Sequence, residues 1–348
     1  MVMNRNENLP TALVTGAAGF IGSHLVRFLA QQGRVRVVAL DDLSGGFRNN
    51  IPAEIEFVQG SVIDYEFLGR LFDQYQFKYV YHLAAYAAEG LSHFIRRFNY
   101  TNNVIGSINL INEAVRHDIE CFVFTSSIAV YGALPTPMRE DHTPRPEDPY
   151  GIAKLTVELD LAAAQKMFGL RHVIFRPHNV YGEFQNLGDP YRNVVGIFMN
   201  QIMQDKRMTV FGDGSQQRAF SYVGDIVPMI ASAPWTLAAW NEVFNIGADQ
   251  PYTIGELARR VAAAMNVPNH SIEYLAARDE VLVAFSDHSK AERVFGKGPQ
   301  TALADGLARM AAWARQVGIQ SSKLFQGVEV ERNMPPSWKR LLAEGDAD

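Results

Sequence analysis

Tyr150 and Lys154 stand four residues apart, and Ser127 follows the apolar run Cys121-Phe-Val-Phe124. On a helix, positions i and i+4 share a face, so the phenol and the ammonium would project together. A phenol with pKa about 10 is a poor base at neutral pH. A nearby ammonium favours the phenolate and makes it a usable proton acceptor. A serine hydroxyl on the same substrate oxygen would complete a site that removes the proton of a secondary alcohol. Alone, a Tyr-x-x-x-Lys pair is more often an ordinary surface pair of a helix. Upstream lies Gly16-Ala-Ala-Gly19-Phe20-Ile21-Gly22. Gly16 permits a tight turn, Gly19 lets backbone approach a pyrophosphate, and Gly22 lets the following helix pack closely. The helix N-terminus then faces negative charge. The spacing is GxxGxxG, and three glycines by themselves are a weak signal. Together the two sets point to hydride transfer coupled to proton transfer, with a dinucleotide as cofactor.

The elements around these residues support that reading. Leu13-Val-Thr15 is a short strand running into the glycine turn, and a helix is predicted from Phe20. The next strand, Val35 to Leu40, ends at Asp41-Asp42. A carboxylate there can accept both ribose hydroxyls of an adenosine and would repel a 2′-phosphate, which favours NAD over NADP. Asp41 is preferred as the nearer to the strand end. Further strands are predicted at Glu56–Val58, Tyr79–Leu83, Cys121–Phe124 and Val173–Phe175, with helices over 108–115 and 151–167. Leu83-Ala84-Ala85 offers small side chains where a cofactor could lie against backbone. Strands alternating with amphipathic helices predict an α/β fold, a doubly wound parallel sheet of Rossmann type over residues 9–177. Beyond 177 a smaller α/β substrate lobe is expected over 178–320, with strands near 208–211 and 244–246 and helices near 194–203, 254–265 and 304–317. Later segments could return to the first unit. Residues 135–149 read as an ordered loop broken by Pro137, Pro144 and Pro146, and 321–348 as a C-terminal surface extension.

The bulk properties fit an ordinary globular chain of 348 residues, 47% apolar, with net charge -5. That charge gives no electrostatic reason to expect nucleic acid. Cys121 lacks partners for disulfide or zinc chemistry, so it is expected to be a buried strand residue and no metal site is expected. The first eight residues lack an apolar signal core and no run approaches membrane-spanning length, so a cytoplasmic location is the default expectation.

From residue 11 to about 315 the chain resembles the extended short-chain dehydrogenase/reductase family, and more narrowly its nucleotide-sugar epimerases and dehydratases. The resemblance is carried, in order, by Thr15 to Gly22, Asp41-Asp-Leu, His82-Leu-Ala-Ala85, Thr125 to Gly132, Tyr150-Gly-Ile-Ala-Lys154, Arg176 to Gly182 and Val210 to Arg218. It implies that Tyr150 is the base, that Lys154 binds the nicotinamide ribose, and that Ser127 assists proton transfer. It also implies that Asn103 helps place the cofactor, and that Asn179, Arg218 and the 194–210 region, Val210 included, surround a sugar diphosphate. The family's acidic residue after the third strand is replaced by Gly60-Ser61-Val62, which weakens the expected adenine contact there. Arg278-Asp279-Glu280 falls where relatives surround a uridine, and a homodimer is implied.

Relatives that eliminate water carry an acid pair before Val-Tyr-Gly. Here the positions hold Ile128 and Ala129, which cannot donate or accept a proton. Ala129 also argues against decarboxylating relatives. Reversible oxidation at C4 of a nucleotide sugar is the remaining expectation, with UDP-glucuronate favoured through Arg192 and UDP-glucose, or a 4-ketoreductase, as alternatives. A guanidinium suits a carboxylate, although Arg192 could equally touch a phosphate or form a surface pair. The segment Tyr86-Ala87-Ala88-Glu89 lies near the expected sugar, and an inward Glu89 would count against an acidic one. His93 and His178 could line the site, with satisfied structural histidines the safer reading.

Overall fold

A computed structural model of the chain describes residues 9–345 apart from 279, 323, 324 and 326. The readings of the first eight residues, of Asp279 and of the last three residues therefore lie outside the described part.

Seven parallel strands form the central sheet: β1 (Thr11–Thr15), β2 (Arg36–Asp41), β3 (Glu56–Gln59), β4 (Tyr79–His82), β5 (Cys121–Thr125), β6 (His172–Pro177) and β7 (Glu242–Ile246). Their spatial order is β7-β6-β5-β4-β1-β2-β3. The order reverses between β1 and β4, which opens a crevice beyond the carboxyl ends of those strands. The fold is thus a Rossmann-like parallel α/β sheet with additional C-terminal α/β elements. The strand read near 244–246 returns to this sheet, pairing with β6 in register Phe244 to Phe175.

Side-chain alternation along the strands sorts the core into two faces. Leu13, Val38, Leu40, Val80, Phe122 and Phe124 pack against α2 (Tyr65–Tyr75), α3 (Gly106–Arg116) and α4 (Pro149–Phe168). Ala12, Val14, Val37, Ala39, Val123 and Phe175 pack against α1 (Phe20–Gln32) and the helix Val223–Ser232. That second cluster continues through Phe198, Leu257, Val261 and Leu307 into the C-terminal elements. Each of the Val, Leu and Phe side chains among them contributes about 1.5–3 kcal/mol when fully buried. Cys121 lies in β5, fully buried, and burial pushes its thiol up to about 12, as expected of an inert strand residue.

Several helices escaped the sequence reading, among them α2 and Val223–Ser232 against the sheet and Pro336–Gly345 near the end of the described chain. Asp64 caps α2 by accepting from the Phe67 N–H at 3.0 Å, and the helix Val223–Ser232 carries Pro228 inside it. The loop before α4 is anchored, because Glu140 accepts the Asn245 N–H and the Met138 carbonyl accepts from the Asn245 side chain. The C-terminal segment departs from a surface extension: Met334 and Trp338 are 4% and 3% exposed. Among the described residues no helix is long and apolar enough to cross a membrane.

Candidate active site

A cleft of about 610 Å3 lies at the crevice between β1 and β4. Gly16, Gly19, Phe20, Ile21 and Gly22 line one end of it, where the glycine turn joins β1 to α1. At Gly16 and Gly22 the turn has no room for a side chain. Gly16 has φ +66°, and a Cβ there would meet the Ala84 backbone nitrogen at 2.7 Å; one on Gly22 would meet the Gly16 carbonyl at 2.0 Å. The backbone of the turn is therefore packed directly on the loop after β4. Asp41, the last residue of β2, accepts the Ala18 N–H at 2.9 Å and the Leu43 N–H at 2.8 Å. Burial raises its pKa, while these backbone hydrogen bonds pull it down. Asp42 also lines the cleft but is exposed, and accepts the Ser44 N–H.

Of the cofactor candidates, Leu83, Ala84, Ala85 and Val62 line the cleft, whereas Ser61 and Asn103 do not. Ser61 points its hydroxyl toward Asp42 at 3.5 Å. Asn103 is buried in a π-helical turn, Thr101–Ile105, with its side chain committed to the Tyr86 backbone on both sides and to Asn99. It shapes the cleft wall through the 83–86 loop rather than reaching the cleft itself. The remaining cradle fits a dinucleotide: close-packed glycines at a helix N-terminus, a carboxylate at the end of β2, and the buried Thr125 hydroxyl in the cleft wall without a partner.

At the other end, Ser127, Tyr150 and Lys154 come together. Asp148 caps α4 by accepting the Gly151 N–H at 2.9 Å, and Pro149 supplies the first helical residue. Tyr150 and Lys154 thus sit within the first turns. Ser127 follows β5 and caps a short 3₁₀ turn, its Oγ accepting the Ala129 N–H at 3.1 Å. Burial raises the Tyr150 phenol, and the Ser127 hydroxyl beside it works in the opposite direction. Lys154 is buried, its Nζ donating to the Thr125 carbonyl at 2.7 Å and lying 5.8 Å from the Tyr150 ring centre. Burial lowers its pKa to about 7, and Glu158 opposes that. Behind them Glu158 pairs with Arg176, whose Nη1 donates to the Tyr131 hydroxyl at 2.7 Å.

The substrate candidates Ala87, Glu89, Asn179, Arg192, Val210, Arg218 and Arg278 all line the same cleft. Glu89 opens the short helix Glu89–Ser92. Its side chain is exposed where it lines the cleft. Enclosure, then Asp148, raises its pKa to about 7, with Arg218 and Arg278 pulling down. Arg192 is tied to Asp189, donating from Nε at 2.6 Å, and lies over the Tyr86 ring. Arg218 donates to the Val281 carbonyl at 2.6 Å and shares Glu280 with Arg278. His178 is satisfied, bonded to the Ala219 carbonyl and to His288, and burial lowers its pKa to about 3. His93 lines the cleft as well.

Sequence reasoning passed over Asp148, Gln185 and Tyr191, which also line it. Asp148 had a readable signal, an acidic residue directly before the proline that starts a helix. The others come from loops whose placement no local pattern encodes.

Such a crevice, glycine cradle and Ser/Tyr/Lys cluster define a dinucleotide-binding α/β protein. The chain belongs to the NAD dependent epimerase/dehydratase family, whose sequence model matches residues 12–247. It is 34% identical over 311 residues to a putative UDP-glucose 4-epimerase of Methanocaldococcus jannaschii, covering 87% of this chain and 98% of that one. A solved UDP-glucose 4-epimerase of Thermotoga maritima with UDP-glucose superposes with TM-score 0.82 at 32% identity, covering 88% of this chain and 99% of that chain. A UDP-glucuronic acid 4-epimerase of Bacillus cereus, in complex with UDP-glucuronic acid and NAD, superposes with TM-score 0.81 at 28% identity over the same shares.

Proposed function

We propose that this protein is an NAD-dependent nucleotide-sugar 4-epimerase. The observation that carries the reading is the convergence of Ser127, Tyr150 and Lys154 on the cleft that holds the glycine turn, with Ile128 and Ala129 beside them. The turn, Asp41, Leu83 to Ala85 and Lys154 would hold the cofactor. Bound there, NAD supplies a reversible hydride acceptor at C4. Tyr150 takes the C4 hydroxyl proton, with Ser127 bonded to the same oxygen, and returns it once the 4-keto sugar has presented its other face. Arg218 and Arg278 hold the diphosphate while the sugar turns, the task of binding energy remote from the reacting carbon. Ile128 and Ala129 provide no acid or base for dehydration.

The electrostatics favour a neutral hexose over the uronate first expected. Glu89 faces the cleft, and the guanidinium of Arg192 already has Asp189 as its partner. The test is purified protein with UDP-glucose and UDP-glucuronate, without added cofactor, the C4 stereochemistry of products being read by NMR. Conversion of UDP-glucose to its C4 epimer supports the reading. No product from either sugar, with net NADH consumption on a 4-keto sugar, would sink it in favour of a ketoreductase.

Glu89 also sets a pH dependence. Below about 7 its carboxyl is protonated and neutral; above, it is an anion facing an anionic diphosphate. KM for the nucleotide sugar is expected to rise about three- to tenfold between pH 6 and 8.5. Glu89→Gln should flatten that rise and keep KM low, and an unchanged profile in that variant would exclude Glu89 as its source. A homodimer is part of the same proposal. Ile105, Ile152, Leu159 and Met167 leave an exposed apolar strip on the helical face carrying α4. Sedimentation giving only the monomer mass would remove it.

A further inference from the structure

Trp338 lies near the end of the described chain, yet it is only 3% exposed. Its surroundings come from both sides of the cleft. From the sheet side, a Cβ on Gly90 would stand 3.2 Å from the indole, and the Phe94 ring centre lies 6.2 Å away. From the C-terminal elements, Tyr191 and Phe211 meet it edge-on at 5.2 and 6.4 Å. The Arg278 guanidinium lies 4.6 Å from the Phe211 ring centre and 5.9 Å from that of Trp338. Gly90 adjoins Glu89, and Tyr191 and Arg278 line the cleft.

The chain leading to Trp338 is fastened along the same edge. Ser322 donates to Asn186 at 2.7 Å, and Phe325 stacks edge-on against Phe98 with ring centres 4.7 Å apart. Glu329 accepts the Arg97 and Phe98 N–H groups, each at 2.8 Å, while its own N–H donates to the Phe94 carbonyl. Met334 packs with Ala88, Leu91 and Ile95. Because 87% of this chain spans 98% of the Methanocaldococcus relative, this chain carries length that the relative does not match.

We propose that Phe325 and residues 327–338 form a strap across the nucleotide end of the cleft, with Trp338 as the positioning residue for Arg278. The indole and Phe211 together form an aromatic corner against which the guanidinium rests, holding it through contact with aromatic rings. Arg278 is then preorganised to receive a nucleoside diphosphate rather than free to sample the solvent, which lowers the cost of binding. This inference rests on the nucleotide-sugar reading of the cleft. It assigns Trp338 no contact with the reacting carbon, so it acts on binding and not on turnover.

The test compares wild type, Trp338→Ala, Trp338→Phe and Met334→Ala. Titration calorimetry with UDP is expected to give about tenfold weaker binding for Trp338→Ala. Near-wild-type binding is expected for Trp338→Phe and for Met334→Ala, which loosens the same cluster without the contact to Arg278. On the sugar, Trp338→Ala should raise KM by a similar factor with kcat and bound NAD unchanged. Equal UDP affinity of Trp338→Ala and wild type overturns the proposal, as does an equal loss in Met334→Ala. A wild type that binds UDP but epimerises no sugar removes the epimerase reading and leaves the strap to be decided by the affinities.

Discussion

Tyr150→Phe is expected to lower turnover about 10²- to 10⁴-fold while the protein keeps its bound NAD and its melting temperature. The substitution removes one oxygen from a side chain that is 8% exposed, so packing around α4 is preserved. What disappears is the phenol that, in the proposed epimerase reaction, exchanges a proton with the C4 oxygen beside Ser127. In the structure the phenol is held above its usual pKa, chiefly by burial. Charge brought by the cofactor must therefore shift it toward the phenolate, and a cationic nicotinamide ring is suited to do so. Turnover measured by coupled assay, with cofactor content read after denaturation, checks the expectation. Retention of more than a tenth of the wild-type rate would rule out Tyr150 as the main base.

Arg176→Met is expected to destabilise the protein by about 3–5 kcal/mol, because it strands the carboxylate of Glu158 inside the fold. Both side chains are 5% exposed, and their pairing carries two functional elements. Glu158 accepts from Ser126, the neighbour of Ser127, and lies four residues beyond Lys154, whose charge it supports. Arg176 in turn holds the Tyr131 hydroxyl, which donates to Asn245 on β7. The double variant Glu158→Leu with Arg176→Met should recover much of the stability, since apolar replacement of a whole buried pair is often neutral. It should not recover activity, because Lys154 is then left buried with no carboxylate to sustain its protonation. Denaturant midpoints and turnover measured on the three proteins separate the two effects. A double variant as unstable as Arg176→Met would contradict the stranded-charge explanation.

Most of the sheet and both halves of the candidate site were legible in the amino-acid order for a common reason. Strand β1, the glycine turn and α1 follow one another without a break, and their signals are alternation, φ freedom and helical spacing, all set within a few residues. The same holds for Tyr150 and Lys154, one helical turn apart behind the Asp148-Pro149 start. Ile128 and Ala129 were equally plain, because a side chain without a proton cannot exchange one wherever it is folded.

What only the tertiary structure decided concerns partners distant in the chain. Arg192 looked free to meet a carboxylate until Asp189 was found against it, and Glu89 could have faced either way. Asn103 turned out to brace the 83–86 loop instead of reaching the cleft. The strand at Glu242–Ile246 joined the sheet beside β6, and Trp338 closed over Arg278 from the far end of the chain. The sequence by itself therefore determined the glycine turn between β1 and α1, the helical spacing of Tyr150 and Lys154, and the apolar pair Ile128-Ala129 beside Ser127. Tertiary structure alone decided which charges are already spoken for at the substrate end. The physical reason is that local backbone geometry is encoded by near neighbours, whereas an ion pair, an inward carboxylate or an indole against a guanidinium exists only once packing has brought remote segments together.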